Sequence, residues 1–235
     1  MKICIDAGHN CSDYDTGASG NGLKEQDVTF EIADKLKKLL AETSVSVIMT
    51  RSKLTDNVGK NAKDSINERA RIANREKCDY FISVHCNAGG GTGTETLIYG
   101  TGGNAEFLAK SVNDKIVNRF GLRDRGVKVR SDLGVLRLTN MPAILVETAF
   151  IDNKSDALLL KNNTDGFAKA IFEGISEVLG FSAEVSAKKF TEPEEITEKL
   201  SETIEITDKK SAVEAIAKAK AENSSLYWIL YKIVN

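Results

Sequence analysis

The chain has 235 residues, of which 41% are hydrophobic and 28% are charged, and its formal net charge at pH 7 is −2. A chain of this length and composition can bury a substantial core, which excludes disorder over most of its length. The nearly balanced charge gives no electrostatic reason to expect nucleic acid or an anionic membrane as a partner. Because no apolar run has transmembrane length and the opening residues lack the pattern of a secretory signal, we expect no membrane insertion and a cytoplasmic location.

The first 180 residues alternate short apolar, β-rich runs with helical patterns. This alternation is typical of an α/β fold in which a twisted, mostly parallel sheet carries helices on both faces. Short β-rich runs, several of them almost continuously apolar as doubly buried strands require, predict strands at residues 2–6, 45–50, 80–85, 94–99 and 143–147. Apolar residues at helical spacing predict helices within residues 30–40, 66–73, 107–120 and 167–178. Asp64 is a candidate cap for the second helix, and Gly121 and Gly180 end the third and fourth.

The composition changes near residue 180, so we predict one domain over residues 1–180 and a linker with a small helical module over 181–235. Residues 182–210 are rich in Glu, Lys, Thr and Ser, which is typical of a linker. The final residues carry an aromatic and aliphatic cluster around Trp228, which predicts one or two amphipathic helices. So short a segment could hardly bury a core alone, so it must pack on something.

The four cysteines are expected to be buried or incidental thiols. Cys4, Cys11, Cys78 and Cys86 have no CxxC spacing. Without export signals, neither a disulfide framework nor a zinc site built from four cysteines is expected.

The chain has only two histidines, and each lies where a predicted strand ends: His9 in CIDAGHN and His85 in FISVHCNA. The carboxyl ends of parallel strands meet at one edge of a sheet, so the two side chains can share a crevice. Glu25, in GLKEQDVTF, lies where a loop enters the first helix and can supply the third ligand of a catalytic zinc. Spacing alone does not establish this site, because no HExxH helix is present and lone histidines are often structural.

Glu147 follows five apolar positions in PAILVETAFIDN and should reach the same crevice. A carboxylate buried at a strand end is costly unless it is paired, metal-bound or catalytic. The alternative is a hydrogen-bonded glutamate that caps a neighbouring loop.

Four blocks of this chain resemble, in order and character, those of the amidase-3 or LytC-like family, zinc amidases that cleave the bond between N-acetylmuramic acid and L-alanine in bacterial peptidoglycan. The blocks are IDAGHN, GLKEQDV, SVHCNA and GVLRLTNMPAILVETAFIDN. The resemblance covers about residues 1–180. It implies hydrolysis of that amide with one Zn²⁺ per chain and peptidoglycan as the partner.

Carried over residue by residue, the resemblance implies that His9, Glu25 and His85 bind zinc and that Glu147 is catalytic. It also implies that Asn87 and Arg137 line the substrate groove. The residues alone are equally compatible with a turn-forming asparagine and a solvated surface arginine at these two positions.

One segment, GHNCSDYDTGASG, departs from the family's usual GHGG and short turn. It places Cys11, Asp13 and Asp15 beside the proposed metal, so Cys11 or Asp15 is an alternative ligand. A turn whose side chains bond the local backbone is the simpler interpretation. Cys86 adjoins His85, but strand neighbours point to opposite faces, so we expect its side chain to face away.

The resemblance and the two-part organisation look like a bacteriophage endolysin, which stays in the cytoplasm until it is released to the cell wall. A host autolysin or a sporulation amidase is the alternative. The tail is expected either to bind the wall or to pack on the catalytic domain or on another copy, giving an oligomer. A two-metal exopeptidase is disfavoured because no histidine remains for a second ion, and a non-catalytic wall-binding protein is disfavoured by Glu147.

Overall fold

The computed structural model describes residues 1–11 and 14–181 of the chain. In this range a six-stranded, mostly parallel sheet is covered by helices, which confirms the predicted α/β class. The predicted linker and helical module at 181–235 lie, apart from residue 181, outside the described residues, as does Asp13. Among the described helices, none is long and apolar enough to cross a membrane.

Strands and helices alternate along the chain. In order they are β1 (Lys2–Ala7), β2 (Ser19–Gly20), β3 (Leu23–Lys24), α1 (Glu25–Ala41), β4 (Ser46–Met49), α2 (Ala62–Arg75), β5 (Tyr80–Asn87), β6 (Thr94–Ile98), α3 (Gly103–Phe120), β7 (Asp124–Val129), α4 (Gly134–Arg137), β8 (Ala143–Phe150), α5 (Lys154–Asn162) and α6 (Thr164–Leu179).

The main sheet has the strand order β4-β1-β5-β8-β6-β7. The first four strands in this order run parallel, so their carboxyl ends meet at one edge. β6 runs antiparallel to β8 and parallel to β7. β7, which the sequence did not predict, is an edge strand of sequence DRGVKV without an apolar run.

Side chains on the two faces of the sheet fill two apolar layers. The larger layer lies under α1, α3 and α6 and contains the strand residues Ile5, Ile82 and Val146. The smaller layer lies under α2 and α4 and contains Phe81 and Leu145. The sheet is therefore covered by helices on both faces, as predicted.

Several details differ from the sequence predictions. Asn61 caps α2, because its Oδ1 accepts a hydrogen bond from the backbone N–H of Asp64 at 3.0 Å, so Asp64 lies inside the helix and is not its cap. Ile66 and Phe107, predicted on apolar helix faces, are 38% and 62% exposed because the sheet covers a narrower stripe of each helix. α5 was not predicted.

All four cysteines lie within the described residues and are free thiols, as predicted. Cys4, Cys78 and Cys86 are buried and Cys11 is exposed.

Helices α3 and α6 approach each other closely at Gly174. A Cβ added at this glycine would lie 2.6 Å from the Cα and 2.7 Å from the backbone nitrogen of Val112. A helix backbone cannot move aside as a side chain can, so the contact requires glycine.

We expect Gly174→Ala to lower the free energy of unfolding by about 1–3 kcal/mol, because the added methyl group must separate two packed helices. Gly166→Ala in the same helix is the matched control, since the nearest atoms to its Cβ belong to side chains, chiefly the ring of Phe120, and not to the backbone of another helix. Ala also has the higher helix propensity, so this control should change stability by no more than about 1 kcal/mol. Urea unfolding measures both variants, and equal stability of the two would contradict the tight contact.

Candidate metal and catalytic site

The chain turns sharply at Gly8 and His9, directly after β1. A Cβ at Gly8 would lie 2.6 Å from Nε2 of His85, so only glycine fits beside that ring. His9 has a φ of 66°, a left-handed conformation that is uncommon for residues other than glycine. Its Nε2 lies 3.1 Å from Oε1 of Glu25. This turn therefore directs the His9 ring towards Glu25.

A buried arginine on α2 holds this turn. Arg69 donates to Oδ1 of Asp6 and to the carbonyl of Ala7, both at 2.7 Å, and also to the carbonyl of His9. Burial opposes ionisation of Asp6, but the charge of Arg69 and the hydrogen bonds from Thr50 and Ser83 together outweigh it and lower the pKa of Asp6. Removing one partner of a buried ion pair typically costs about 3–5 kcal/mol, so the pair fixes the end of β1.

A second buried arginine joins the turn to the start of α1. Arg51 donates to the carbonyl of Gly8 at 3.2 Å and to that of Gln26 at 2.8 Å. The hydroxyl of Thr29 also donates to the carbonyl of Gly8 at 2.8 Å. Because Gln26 follows Glu25, these bonds hold His9 and Glu25 in a fixed relation.

Glu25 is the first residue of α1 and follows the hairpin of β2 and β3. The hairpin turns at Asn21 and Gly22, whose φ values of 50° and 78° suit a two-residue Asn-Gly turn. The Glu25 carboxylate is buried and accepts from two backbone amides, Cys86 at 2.9 Å and Ala18 at 2.7 Å. The carboxylate therefore has one fixed orientation.

His9, Glu25 and His85 lie close enough to share one metal ion. Oε1 of Glu25 lies 3.1 Å from Nε2 of His9 and 3.2 Å from Nδ1 of His85. The three candidate ligand atoms all lie within 4.8 Å of one another. Two imidazole nitrogens and a carboxylate oxygen form a ligand set that suits catalytic zinc, which keeps a fourth position open. The structure therefore brings the three predicted residues together, and their donor atoms fit the ion.

Asp15 and Glu25, the carboxylates beside the imidazole rings of His9 and His85, give the cluster a negative potential that favours a bound cation. Burial acts to lower the pKa of His9, but hydrogen bonds to Asp15 and Glu25 outweigh it and raise the pKa to about 9. Burial likewise opposes ionisation of Glu25, yet the two histidines hold its pKa well below the ordinary value. A pocket that stabilises a proton on His9 also stabilises a metal ion in its place.

Asp15 and Cys11, the alternative ligands, both have other partners. Oδ1 of Asp15 lies 2.8 Å from Nδ1 of His9, and its Oδ2 accepts from Ser65. Asp15 thus favours the tautomer in which Nε2 of His9 carries the lone pair, as carboxylates behind metal-binding histidines do. The thiol of Cys11 donates to the carbonyl of Thr55 at 3.1 Å. These contacts favour a supporting role for Asp15.

The sequence predicted His85 and Glu147 at the ends of their strands, but both residues lie inside strands. β5 continues to Asn87 and β8 to Phe150, and His85 and Glu147 are directly paired in register. Both side chains therefore project from the same face of the sheet. Cys86 is buried in the layer under α1, in agreement with the expectation that it faces away.

Glu147 has the environment of a proton carrier. Its Oε2 is buried and has no hydrogen-bond partner among residues 1–11 and 14–181. Burial raises the pKa of Glu147 to about 7; His85 opposes this rise, whereas Glu25 and Glu95 add to it. A carboxyl group that titrates near neutral pH can both accept and return a proton. No contact of Oε2 within the described chain supports the loop-capping alternative.

Asn87 and Arg137 occupy different surroundings. Asn87 donates from Nδ2 to Glu95 at 3.0 Å, and its own Oδ1 accepts from the N–H of Ala88, as in a turn. Arg137 is exposed at the end of α4 and lines a surface cavity of about 380 Å³. Asn87 thus contacts Glu95, which is paired with Glu147 on the neighbouring strand. In the described part of the chain, no contact of Arg137 with the three candidate metal ligands is found. Substrate binding by either residue stays a prediction.

The sequence prediction missed the residues that hold the site together. Arg69 lies in an ordinary amphipathic helix pattern, where nothing distinguishes it from a surface arginine. Asp6 carried a usable signal, because a charged residue inside a doubly buried strand requires a partner. The Asn21 and Gly22 pair was a second signal, typical of a hairpin turn.

Known proteins with similar sequences and folds cover most of this chain. A family model for N-acetylmuramoyl-L-alanine amidase matches residues 3–177. The chain is 39% identical over 188 residues to an endolysin of Bacillus phage SPP1, covering 75% of this chain and 65% of the endolysin. It is 37% identical over 190 residues to N-acetylmuramoyl-L-alanine amidase CwlM of Bacillus licheniformis, covering 80% and 72%. The crystal structure of an N-acetylmuramoyl-L-alanine amidase from Clostridium difficile 630 matches with a TM-score of 0.67 at 31% identity, covering 76% of this chain and 96% of that one.

We expect the protein to bind about one zinc ion per chain, and His9→Ala, Glu25→Ala and His85→Ala each to lose this binding, because a site of this type needs all three ligands. Asp15→Asn should keep the ion but bind it about 10- to 100-fold more weakly, since Asp15 acts through His9. Asp152→Asn is the control, because among the described residues that carboxylate accepts hydrogen bonds from loop amides alone. Calorimetric zinc titration measures the affinities, and parental binding by all three ligand variants would place the metal elsewhere.

Proposed function

Because the chain belongs to the N-acetylmuramoyl-L-alanine amidase family, we propose that it hydrolyses the amide bond between N-acetylmuramic acid and L-alanine in bacterial peptidoglycan. One observation carries the proposal: the cluster of His9, Glu25 and His85 lies beside Glu147, whose buried Oε2 has no partner in the described chain. The cluster suits a metal ion, and Glu147 suits proton transfer.

We assign one zinc ion per chain to His9, Glu25 and His85. When bound through three protein ligands, zinc lowers the pKa of water towards about 7 and polarises a carbonyl oxygen. A two-metal exopeptidase receives no support, because the chain has no further histidine and no second group of three candidate ligands occurs among the described residues.

Glu147 transfers the proton in this proposal. Its pairing with His85 across β5 and β8 holds the carboxylate beside the cluster. The ionised carboxylate accepts a proton from the attacking water, and the resulting acid donates it to the departing nitrogen of L-alanine. A pKa of about 7 allows both steps near neutral pH. No covalent acyl-enzyme is expected, because both histidines belong to the cluster and none is left to activate a serine.

The biological setting that we propose is lysis of a bacterial host by a phage. The similarity to the endolysin of phage SPP1 supports it, and the protein would then stay in the cytoplasm until release to the wall. The similarity to the Bacillus licheniformis amidase keeps a bacterial wall amidase as the alternative. Wall binding, or packing into an oligomer, by residues 182–235 stays a prediction.

Digestion of purified cell walls should produce new amino groups on L-alanine and no new reducing sugar ends, because the bond cleaved is an amide. Chelation of the metal should stop the appearance of new L-alanine amino groups, and added zinc should restore it. Amino-terminal labelling and a reducing-sugar assay on the same digest measure the two products. New reducing ends without new L-alanine amino groups would indicate a glycosidase and contradict the proposal.

The same assay separates metal binding from catalysis. Glu147→Gln should keep the zinc content and the unfolding free energy of the parent but release L-alanine amino groups about 10²- to 10⁴-fold more slowly. Glu173→Gln removes an exposed carboxylate on α6 and serves as the control for the loss of charge. Turnover by Glu147→Gln close to that of the control would exclude Glu147 as the proton carrier.

A further inference from the structure

A second carboxylate, Glu95, stands beside Glu147 on the sheet. The two residues are paired in register across β6 and β8, so their side chains share one face about 5 Å apart at Cβ. Unlike Glu147, Glu95 has three donors: Nδ2 of Asn87 at 3.0 Å, Nε of Arg125 at 2.6 Å and the Lys128 ammonium. Burial opposes ionisation of Glu95, but Lys128 and Arg125 outweigh it and lower the pKa. Glu95 is therefore a fixed anchor for two cations.

Arg125 is held in one orientation by contacts that leave its far end available. Besides the bond from Nε to Glu95, its guanidinium carbon lies 4.8 Å from the ring centroid of Phe150. The ring is buried and packs on Gly91, where an added Cβ would lie 2.4 Å from it. In the described ranges, neither Nη1 nor Nη2 of Arg125 has a hydrogen-bond acceptor. These two NH2 groups form a planar pair of donors, called the fork below, that can bind a carboxylate through two parallel hydrogen bonds.

This corner of the site carries surplus positive charge. Arg125 and Lys128 supply two positive charges, of which the bonded carboxylate of Glu95 offsets one; within the described ranges Glu147, the other carboxylate on this face, has no hydrogen bond or ion pair with either cation. The side chains of Arg125 and Lys128 are 25% and 43% exposed. A guanidinium that is already oriented loses little conformational freedom when it binds an anion. The metal cluster and the proton transfer by Glu147 use neither cation.

We infer that Arg125, anchored by Glu95 and Phe150 and assisted by Lys128, binds a carboxylate on the peptide side of the scissile bond. This inference rests on the proposed function. The lactyl carboxyl group of N-acetylmuramic acid is consumed in the amide, and the adjoining glycan is uncharged. The nearest anionic group is the free carboxyl on the residue after L-alanine, which some cell walls carry as a neutral amide. The fork of Arg125 thus selects the free acid.

The test compares cell walls from one bacterial strain in two forms, with that carboxyl group either free or amidated. The parent enzyme should release L-alanine amino groups from subsaturating free-acid walls about 10-fold or more faster, because hydrogen bonds to charged groups typically contribute this much. Arg125→Gln should slow cleavage of the free-acid walls by a similar factor and slow cleavage of the amidated walls much less, so that the parent's preference is lost. Arg125→Lys, which keeps the charge without the fork, should give an intermediate preference.

Arg119→Gln is the matched control, because it removes the same charge from a pair with Glu173 on the helices α3 and α6. It should keep the parental preference. Zinc content and unfolding free energy, measured for each variant, separate recognition from folding. Equal rates of the parent on the two walls would overturn the inference, whether or not Arg125→Gln folds. Cleavage of neither wall by the zinc-loaded parent would contradict the proposed function itself.

Discussion

The buried ion pair between Arg69 and Asp6 ties helix α2 to the end of β1, and the turn that follows takes its conformation from this contact. His9 adopts a left-handed backbone there, and Arg69 also donates to its carbonyl. Glu25 is fixed separately, by two backbone amides at the start of α1, and His85 by its place inside β5. The scaffold therefore holds the three side chains in an arrangement that suits one metal ion.

Three carboxylates lie within a short distance on this site, and their surroundings give them different properties. Glu25 lies between two imidazoles and two backbone amides, which suits a ligand. Glu95 lies between two cations and an amide group, which suits an anchor. Glu147 has a buried oxygen without a partner in the described chain, and its burial raises the pKa to about 7. Environments that separate the pKa values of like groups assign them different chemical roles.

The sequence predicted the features that depend on local pattern. Short β-rich runs led to β1, β4, β5, β6 and β8 being found, and the runs of β1, β5 and β8 are the most continuously apolar. The edge strand β7 was not found, because DRGVKV has no such run. With only two histidines in the chain, His9 and His85 were readily identified as candidates. The role of Glu95 could not be foreseen, because it depends on the antiparallel register of β6 with β8, which hydrophobic periodicity does not determine.

We propose that His9, Glu25 and His85 hold one zinc ion beside a Glu147 that does not bind it. A crystal structure of the zinc-loaded protein, with anomalous scattering measured at the zinc edge, tests it most directly. We expect one anomalous peak about 2.0–2.2 Å from a nitrogen of each histidine and an oxygen of Glu25, with the Glu147 carboxylate outside bonding distance. A zinc ion bound by Asp15 or by Glu147 in place of one of these ligands would contradict it.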